Sequence, residues 1–186
     1  MNLLKSFSVS LFSALLVLSS STQAATSDIQ FLQTLESCQQ KQYTSLLNNH
    51  SKISALAQTS SAEADTARKL RDKLRSLKKF SKAKIALSKE IKYRNRQGAL
   101  LSLDSSILAL VSEVLSDKAK VSRYKTKLKS NQTYRNQTQL DEIAGANEQV
   151  DQNFHEITMK AFILKLTDDR DFQSCVVSAP ELRASL

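Results

Sequence analysis

The sequence contains very little of what interrupts helices. Among 186 residues there are two glycines, one proline and no tryptophan. A β-rich fold needs many turn-forming residues, and glycine and proline supply most of them. Alanine, leucine, lysine, glutamine, glutamate and serine dominate instead, and most of these are good helix formers. The composition therefore predicts an all-α protein.

Residues that bind metals or cofactors are also scarce. The two histidines, His50 and His155, are predicted at different levels of a helical bundle, and Met159 shares a helix with His155. Haem or metal ligands must come from facing helices at one level. Nucleophile motifs, phosphate-binding loops and paired carboxylates are absent from contexts that would support them. We therefore expect no metal, no cofactor and no enzymatic activity.

The first 24 residues have the order of a secretory signal peptide. Lys5 precedes an apolar stretch from Phe7 to Leu18, and small polar residues then lead to Ala24. This stretch is too short to span a bilayer of about 30 Å, and no later stretch reaches about 18 apolar residues. We expect cleavage after Ala24 and a mature chain with no transmembrane segment. The expected compartment is the Gram-negative periplasm, with secretion as the alternative.

Apolar residues recur at helical spacing in four segments. The first predicted helix begins at a capping box, Ser27 to Gln30, and ends near Gln58. The second runs from Ser60 to Arg96 and the third from about Gly98 to Lys129, and the fourth begins at a Thr138 cap and keeps a heptad to Leu164. The predicted core residues of the second helix are Ala67, Leu70, Leu74, Leu77, Phe80, Leu87 and Ile91.

Gly98 is predicted to end the second helix and to reverse the chain. If the second and third segments formed one rod, their apolar stripes would be rotated by about 110° from each other. A hairpin at Gly98 removes this conflict. The sequence thus predicts an antiparallel up-down four-helix bundle over 25–178, with a loosely ordered tail at 179–186.

The two cysteines, Cys38 and Cys175, stand near opposite ends of the mature chain. Thiols oxidise in exported proteins, and neither cysteine has the nearby partner that a metal or redox pair needs. We therefore expect a structural disulfide. If the fourth helix continued to Cys175, the two sulfurs would lie roughly 30 Å apart. The bridge thus predicts a short helix near 168–177 that folds back over the bundle.

Positive charge is concentrated in the middle of the chain. From Arg68 to Arg96 there are 13 Lys or Arg residues against Asp72 and Glu90, whereas the whole chain has a net charge of +9. From Lys118 to Arg135 there are seven more and no acid. A hairpin at Gly98 would merge both runs into one basic surface. The residues predicted to bind there are Arg68, Arg71, Arg75, Lys78, Lys79, Lys82, Lys89, Arg96, Lys118, Lys120, Arg123 and Lys125.

Two functions fit these features. The first is binding of another protein that has an acidic surface, as a chaperone, an adaptor, or an inhibitor or immunity partner. The alternative is binding of an anionic envelope lipid, a glycan or DNA through the basic hairpin. A solvated face without a binding role is the third reading of the same charges. The sequence leaves these readings open.

Overall fold

The computed structural model describes the backbone of residues 6–131, 133–164 and 166, and the side chains from residue 27 onward within these ranges. Three helices account for almost all of them: α1 (Ser6–Ser76), α2 (Phe80–Ser130) and α3 (Gln137–Ile163). These residues contain no strand, so the all-α prediction is confirmed. The predicted four-helix bundle is wrong, because the described chain has three helices rather than four.

The predicted helix start at Ser27 is wrong for the chain as it stands, since α1 is already helical from Ser6. The helix expected at 168–177, the tail at 179–186 and Cys175 lie outside the described residues. Cys38 is buried, and the described part of the chain contains no free cysteine.

The predicted break near Gln58 does not occur, because the buried face of α1 continues there in small residues. Four of them follow at helical spacing and are at most 7% exposed: Ala57, Ser60, Ala64 and Ala67. They extend the heptad series that begins with Leu32, Leu46 and Ile53. A search for bulky apolar residues loses this face where alanine replaces leucine.

The chain reverses at Leu77–Lys79, and α1 ends there in a Schellman motif. Lys79 N–H donates to the Leu74 carbonyl at 2.9 Å, and Lys78 N–H donates to the Arg75 carbonyl at 2.9 Å. Lys78 has φ 57°, the left-handed conformation that glycine usually supplies at this position. No glycine marks this turn in the sequence.

The predicted reversal at Gly98 is wrong, because α2 passes through this residue without a break. No glycine of the described residues has positive φ, and a Cβ added at Gly98 would meet nothing within 4 Å. The stripe predicted before Gly98 is not a core face, because several of its bulky residues are exposed. A continuous helix therefore does not have to bury two conflicting faces. Gly98 is therefore an ordinary helix-interior residue.

The described helices contribute to two compact units. One combines α1 up to Lys41 with Val114–Gln152, and the other combines Gln42–Glu113 with the chain that begins at Asn153. In the first unit α1 and α2 run antiparallel, since Glu36 pairs with Lys125 and Gln40 accepts from Lys118. Its core contains Phe31, Leu32, Leu35, Val121, Tyr124, Leu128, Leu140 and Ile143.

In the second unit α1 and α2 form an antiparallel hairpin around the Lys78 turn. The helices are joined along its length by two ion pairs, Arg71–Glu90 and Asp65–Arg94, and by a hydrogen bond between His50 and Asp104. Between residues 61 and 96 the buried residues of both helices are alanines: Ala64 and Ala67 on α1, Ala83 and Ala86 on α2. We call these four residues the alanine seam.

A short connection from Asn131 to Asn136 links α2 to α3. The Asn136 side chain accepts a hydrogen bond from Gln139 N–H, so Asn136 is the N-cap and the predicted Thr138 cap is wrong. Tyr124 donates its hydroxyl proton to the Asn136 carbonyl and accepts from Asn136 N–H. Burial raises the pKa of Tyr124 above its ordinary value. The heptad of α3 is buried as predicted, from Leu140 to Ala161.

By length and composition alone, α2 contains a window apolar enough to cross a membrane. About a third of this window, 33%, is buried in the fold. Several of its bulky residues, Leu100, Leu103, Ile107 and Val114, face the protein interior. In addition, Asp104 within α2 bonds His50 of α1 at 2.7 Å. These contacts account for one side of the window, whereas Leu101, Leu108 and Leu115 on another side are at least 43% exposed. The absence of a transmembrane segment from the mature chain stays a prediction.

Replacement of Gly98 by alanine tests the continuity of α2. In a helix interior, alanine is more stable than glycine by about 0.5–1 kcal/mol, and the space for its Cβ is open. We therefore expect Gly98→Ala to raise the free energy of unfolding by about this amount in urea titrations. A glycine in a left-handed cap would give the opposite sign, so a loss of stability would contradict the continuous helix.

Candidate functional site

The first basic run surrounds the Lys78 turn of the second unit. Residues Arg68–Ser76 form the end of α1, and Phe80–Arg96 form the beginning of α2. We call the segment Arg68–Arg96 the hairpin tip. Its 13 cations and two acids give it a local net charge of +11. The tip is the highest concentration of charge in the chain and is the candidate functional site.

Arg71 does not belong to the exposed surface of the tip, although it was predicted to bind there. Its Nε donates to Asp72 at 2.9 Å and its Nη1 donates to Glu90 of α2 at 2.5 Å. The hydrogen bond to Asp72 and the charges of both carboxylates raise the pKa of Arg71 above its ordinary value. Arg71 therefore uses both acids of the tip and joins the two helices.

The remaining cations of the tip fall into two groups. Arg68 and Arg94 both lie near Asp65, at 3.7 Å and 2.6 Å. The other ten are exposed and form no ion pair with any residue that the structure describes. These unpaired cations are Lys69, Lys73, Arg75, Lys78, Lys79, Lys82, Lys84, Lys89, Lys92 and Arg96.

The second basic run belongs to the other unit and is partly neutralised there. Lys125 pairs with Glu36, Lys120 pairs with Asp117 at 2.7 Å, and Lys118 donates to Gln40 at 2.5 Å. The predicted merging of the two runs depended on a reversal at Gly98. Because α2 is continuous, that reason is removed, and Lys118–Lys125 lie along Glu36–Gln40 instead of along residues 67–78.

A groove of about 510 Å³ lies beside the second run in the first unit. Lys120, Arg123 and Lys127 of α2 contribute positive charge, whereas Glu142 of α3 contributes negative charge. This mixed lining gives the groove a weaker preference for anions than the tip has.

Sequence reasoning missed the apolar part of the tip. Five bulky apolar side chains within it are between 50% and 67% exposed: Leu70, Leu77, Phe80, Ile85 and Ile91. Four of the five were predicted as core residues, and these predictions are wrong, since the alanine seam occupies the helix interface. Only Leu74 and Leu87 of the predicted bulky set are partly buried. The alanines that continue the buried face of Leu46 and Ile53 were the signal in the sequence that could have located this interface.

His50 and Asp104 form a contact between the two helices, with Nδ1 and Oδ1 2.7 Å apart. Their side chains are 33% and 13% exposed, and they join α1 to α2. Within the described residues, no three His, Cys, Asp or Glu side chains come together as a metal site. The pair holds the two helices together.

Comparisons with known proteins return nothing that resembles this chain. No family model, no curated protein and no solved structure matches it.

The internal role of Arg71 can be separated from the exposed role of Arg75. Arg71→Ala removes both ion pairs and leaves Glu90 without its cation, so we expect a lower urea midpoint of unfolding. Arg75→Ala alters an exposed side chain and should change stability by less than about 0.5 kcal/mol. Equal midpoints for the two variants would contradict the assignment of Arg71 to the hairpin interior.

Proposed function

We propose that the mature chain is an exported, non-enzymatic binding protein that recognises a negatively charged partner through the hairpin tip. The supporting observation is that ten exposed cations of the tip have no acidic partner among the described residues. A face that only kept the helix soluble would do so equally well with both signs of charge interspersed. The tip instead has a single sign.

The electrostatics of the tip fit a binding role. Both of its acids already bond Arg71, so the field of the remaining cations extends into solvent. At physiological ionic strength this field reaches about 8 Å before screening removes most of it. Such a surface accelerates association with an anionic partner and makes binding dependent on salt.

The sequence analysis predicted two classes of partner. One is a protein with an acidic surface, and the other is an anionic envelope lipid, glycan or DNA. The unpaired cations support both classes equally. The exposed apolar side chains of the tip distinguish between them, and the lipid alternative is developed in the next subsection.

Export and a disulfide belong to the same proposal. The signal-like order of residues 1–24 would deliver the chain to the periplasm, where thiols oxidise. Cys38 is 5% exposed and faces the core of the first unit, which suits a structural sulfur better than a reactive thiol. The proposed partner of Cys38 is Cys175, the only other cysteine of the chain.

Reversal of three unpaired cations should abolish most of the binding. We expect the triple variant Arg75→Glu, Lys78→Glu and Lys82→Glu to lose at least about a hundredfold in affinity for heparin or anionic vesicles, since the loss of each cation alone costs about fivefold. A plot of log affinity against log salt should also become less steep. The measurement is equilibrium binding over a salt series.

The matched control is Arg123→Glu, Lys127→Glu and Lys129→Glu. These residues are exposed cations of the second run, and their reversal changes the net charge by the same amount. If both triple variants lose the same affinity, overall charge rather than the tip determines binding. If neither variant loses affinity, the proposed function is wrong.

One intact-mass measurement tests export and oxidation together. Protein purified from a periplasmic extract should have the mass of residues 25–186 less two hydrogens, and reduction should restore both. A protein that still contains residues 1–24 would contradict the signal peptide. A mass that does not change on reduction, together with two thiols that alkylate, would contradict the bridge.

A further inference from the structure

The apolar and basic residues of the hairpin tip are interleaved at the turn itself. Leu77 follows the last residue of α1, Lys78 and Lys79 complete the turn, and Phe80 begins α2. Leu77 is 54% exposed and Phe80 is 67% exposed. The turn thus has two exposed apolar side chains with two exposed cations between them.

The exposed apolar side chains do not form one flat patch. Leu70 and Leu77 are seven residues apart and share one side of α1. On α2, Phe80 and Leu87 share a side, but Ile85 lies about 140° around the helix from Phe80. A rigid acidic protein would cover one side and leave the other in water. A fluid lipid phase surrounds an inserted tip on all sides.

The composition of the tip also fits the interface of a bilayer. Bulky apolar residues enter the boundary between headgroups and acyl chains to a depth of about 5–10 Å, while lysine and arginine stay with anionic headgroups. Long lysine side chains reach back to the headgroups from such a position. A polysaccharide or DNA offers the negative charge but no apolar phase for Leu77 and Phe80.

We propose that the hairpin tip binds the surface of an anionic phospholipid bilayer and inserts Leu77 and Phe80 among the lipids. This inference rests on the proposed function, because it names the partner of the same site. The cations attract the surface, and insertion of the two apolar side chains then gives residence and selectivity for lipid over other polyanions.

The absence of tryptophan from the sequence allows a direct test. In the full mature protein, Phe80→Trp places a single tryptophan at the turn, and this reporter can be excited at wavelengths that the four tyrosines do not absorb. With vesicles of equimolar phosphatidylcholine and phosphatidylglycerol, we expect its emission to shift to the blue and brominated lipid to quench it. The matched control is Phe162→Trp, an aromatic on α3 that is 58% exposed. Its emission should stay unchanged.

A second variant measures the contribution of insertion to affinity. Leu77→Ser combined with Phe80→Ser should lower affinity for the same vesicles at least about tenfold. Full burial of a side chain of this size is worth a factor of about ten or more, and these two side chains are already partly buried in the free protein. Heparin affinity should stay unchanged because all the cations remain. The control, Leu101→Ser with Leu108→Ser, changes two other exposed leucines and should bind vesicles as the wild type does.

The outcomes separate the two proposals. Reporter insertion, with loss of vesicle affinity only in the Leu77 and Phe80 variant, supports both. If the wild type binds vesicles and heparin but the reporter does not respond and the double variant binds equally, insertion is wrong and electrostatic binding stands. If the wild type binds neither, the proposed function fails as well. If the double variant loses an acidic protein partner while the reporter ignores vesicles, the partner is a protein and the lipid inference is wrong.

Discussion

The packing of the alanine seam determines what the hairpin tip presents to its surroundings. Ala64 and Ala67 of α1 lie in the same interface as Ala83 and Ala86 of α2, and all four are at most 7% exposed. The buried side of each helix in this part of the hairpin is made of these small residues, with Leu74 and Leu87 partly buried beside them. Leu70, Leu77 and Phe80 therefore point away from the seam. The exposure of these apolar residues follows from this choice of interface.

The size of the buried side chains explains which features could be predicted from the sequence. The heptad of α3 was recognisable because its core residues, such as Leu140, Phe154 and Ile157, are bulky. The buried position of Asn147 was also recognisable, since it falls on that heptad. In α1 the series changes from Leu46 and Ile53 to Ala57 and Ser60. Alanine is both a helix former and a core residue, so the pattern alone did not show that α1 continues.

The position of the turn was hidden for a different reason. Helix ends are recognised by glycine, and the only glycine in the region is Gly98, which lies inside α2. The actual cap is Lys78, a residue that has no special preference for left-handed conformation. The predicted reversal at Gly98 had one large consequence for the site. It merged two basic runs that belong to different units and missed the apolar residues that accompany the first.

The position of the cations opposes the stability of the hairpin. At the end of α1, Lys73 and Arg75 interact favourably with the negative end of the helix dipole. At the beginning of α2, however, Lys82 and Lys84 face the positive end, and the first turn of α2 contains no acid. Each unfavourable interaction of this kind is worth about 0.3–1 kcal/mol at low salt.

Like charges within each helix add to this opposition. Lys69–Lys73 and Lys92–Arg96 are four residues apart, and such pairs destabilise a helix by a few tenths of a kcal/mol each. The bonds of Arg71 to Asp72 and Glu90, and the pairing of Arg94 with Asp65, offset only part of this repulsion. The fold therefore gains nothing from most of these cations. An anionic surface that binds the tip would relieve both the repulsion between the cations and their unfavourable interaction with the helix dipole. The stability that the free protein loses through these cations would thus be regained as binding affinity.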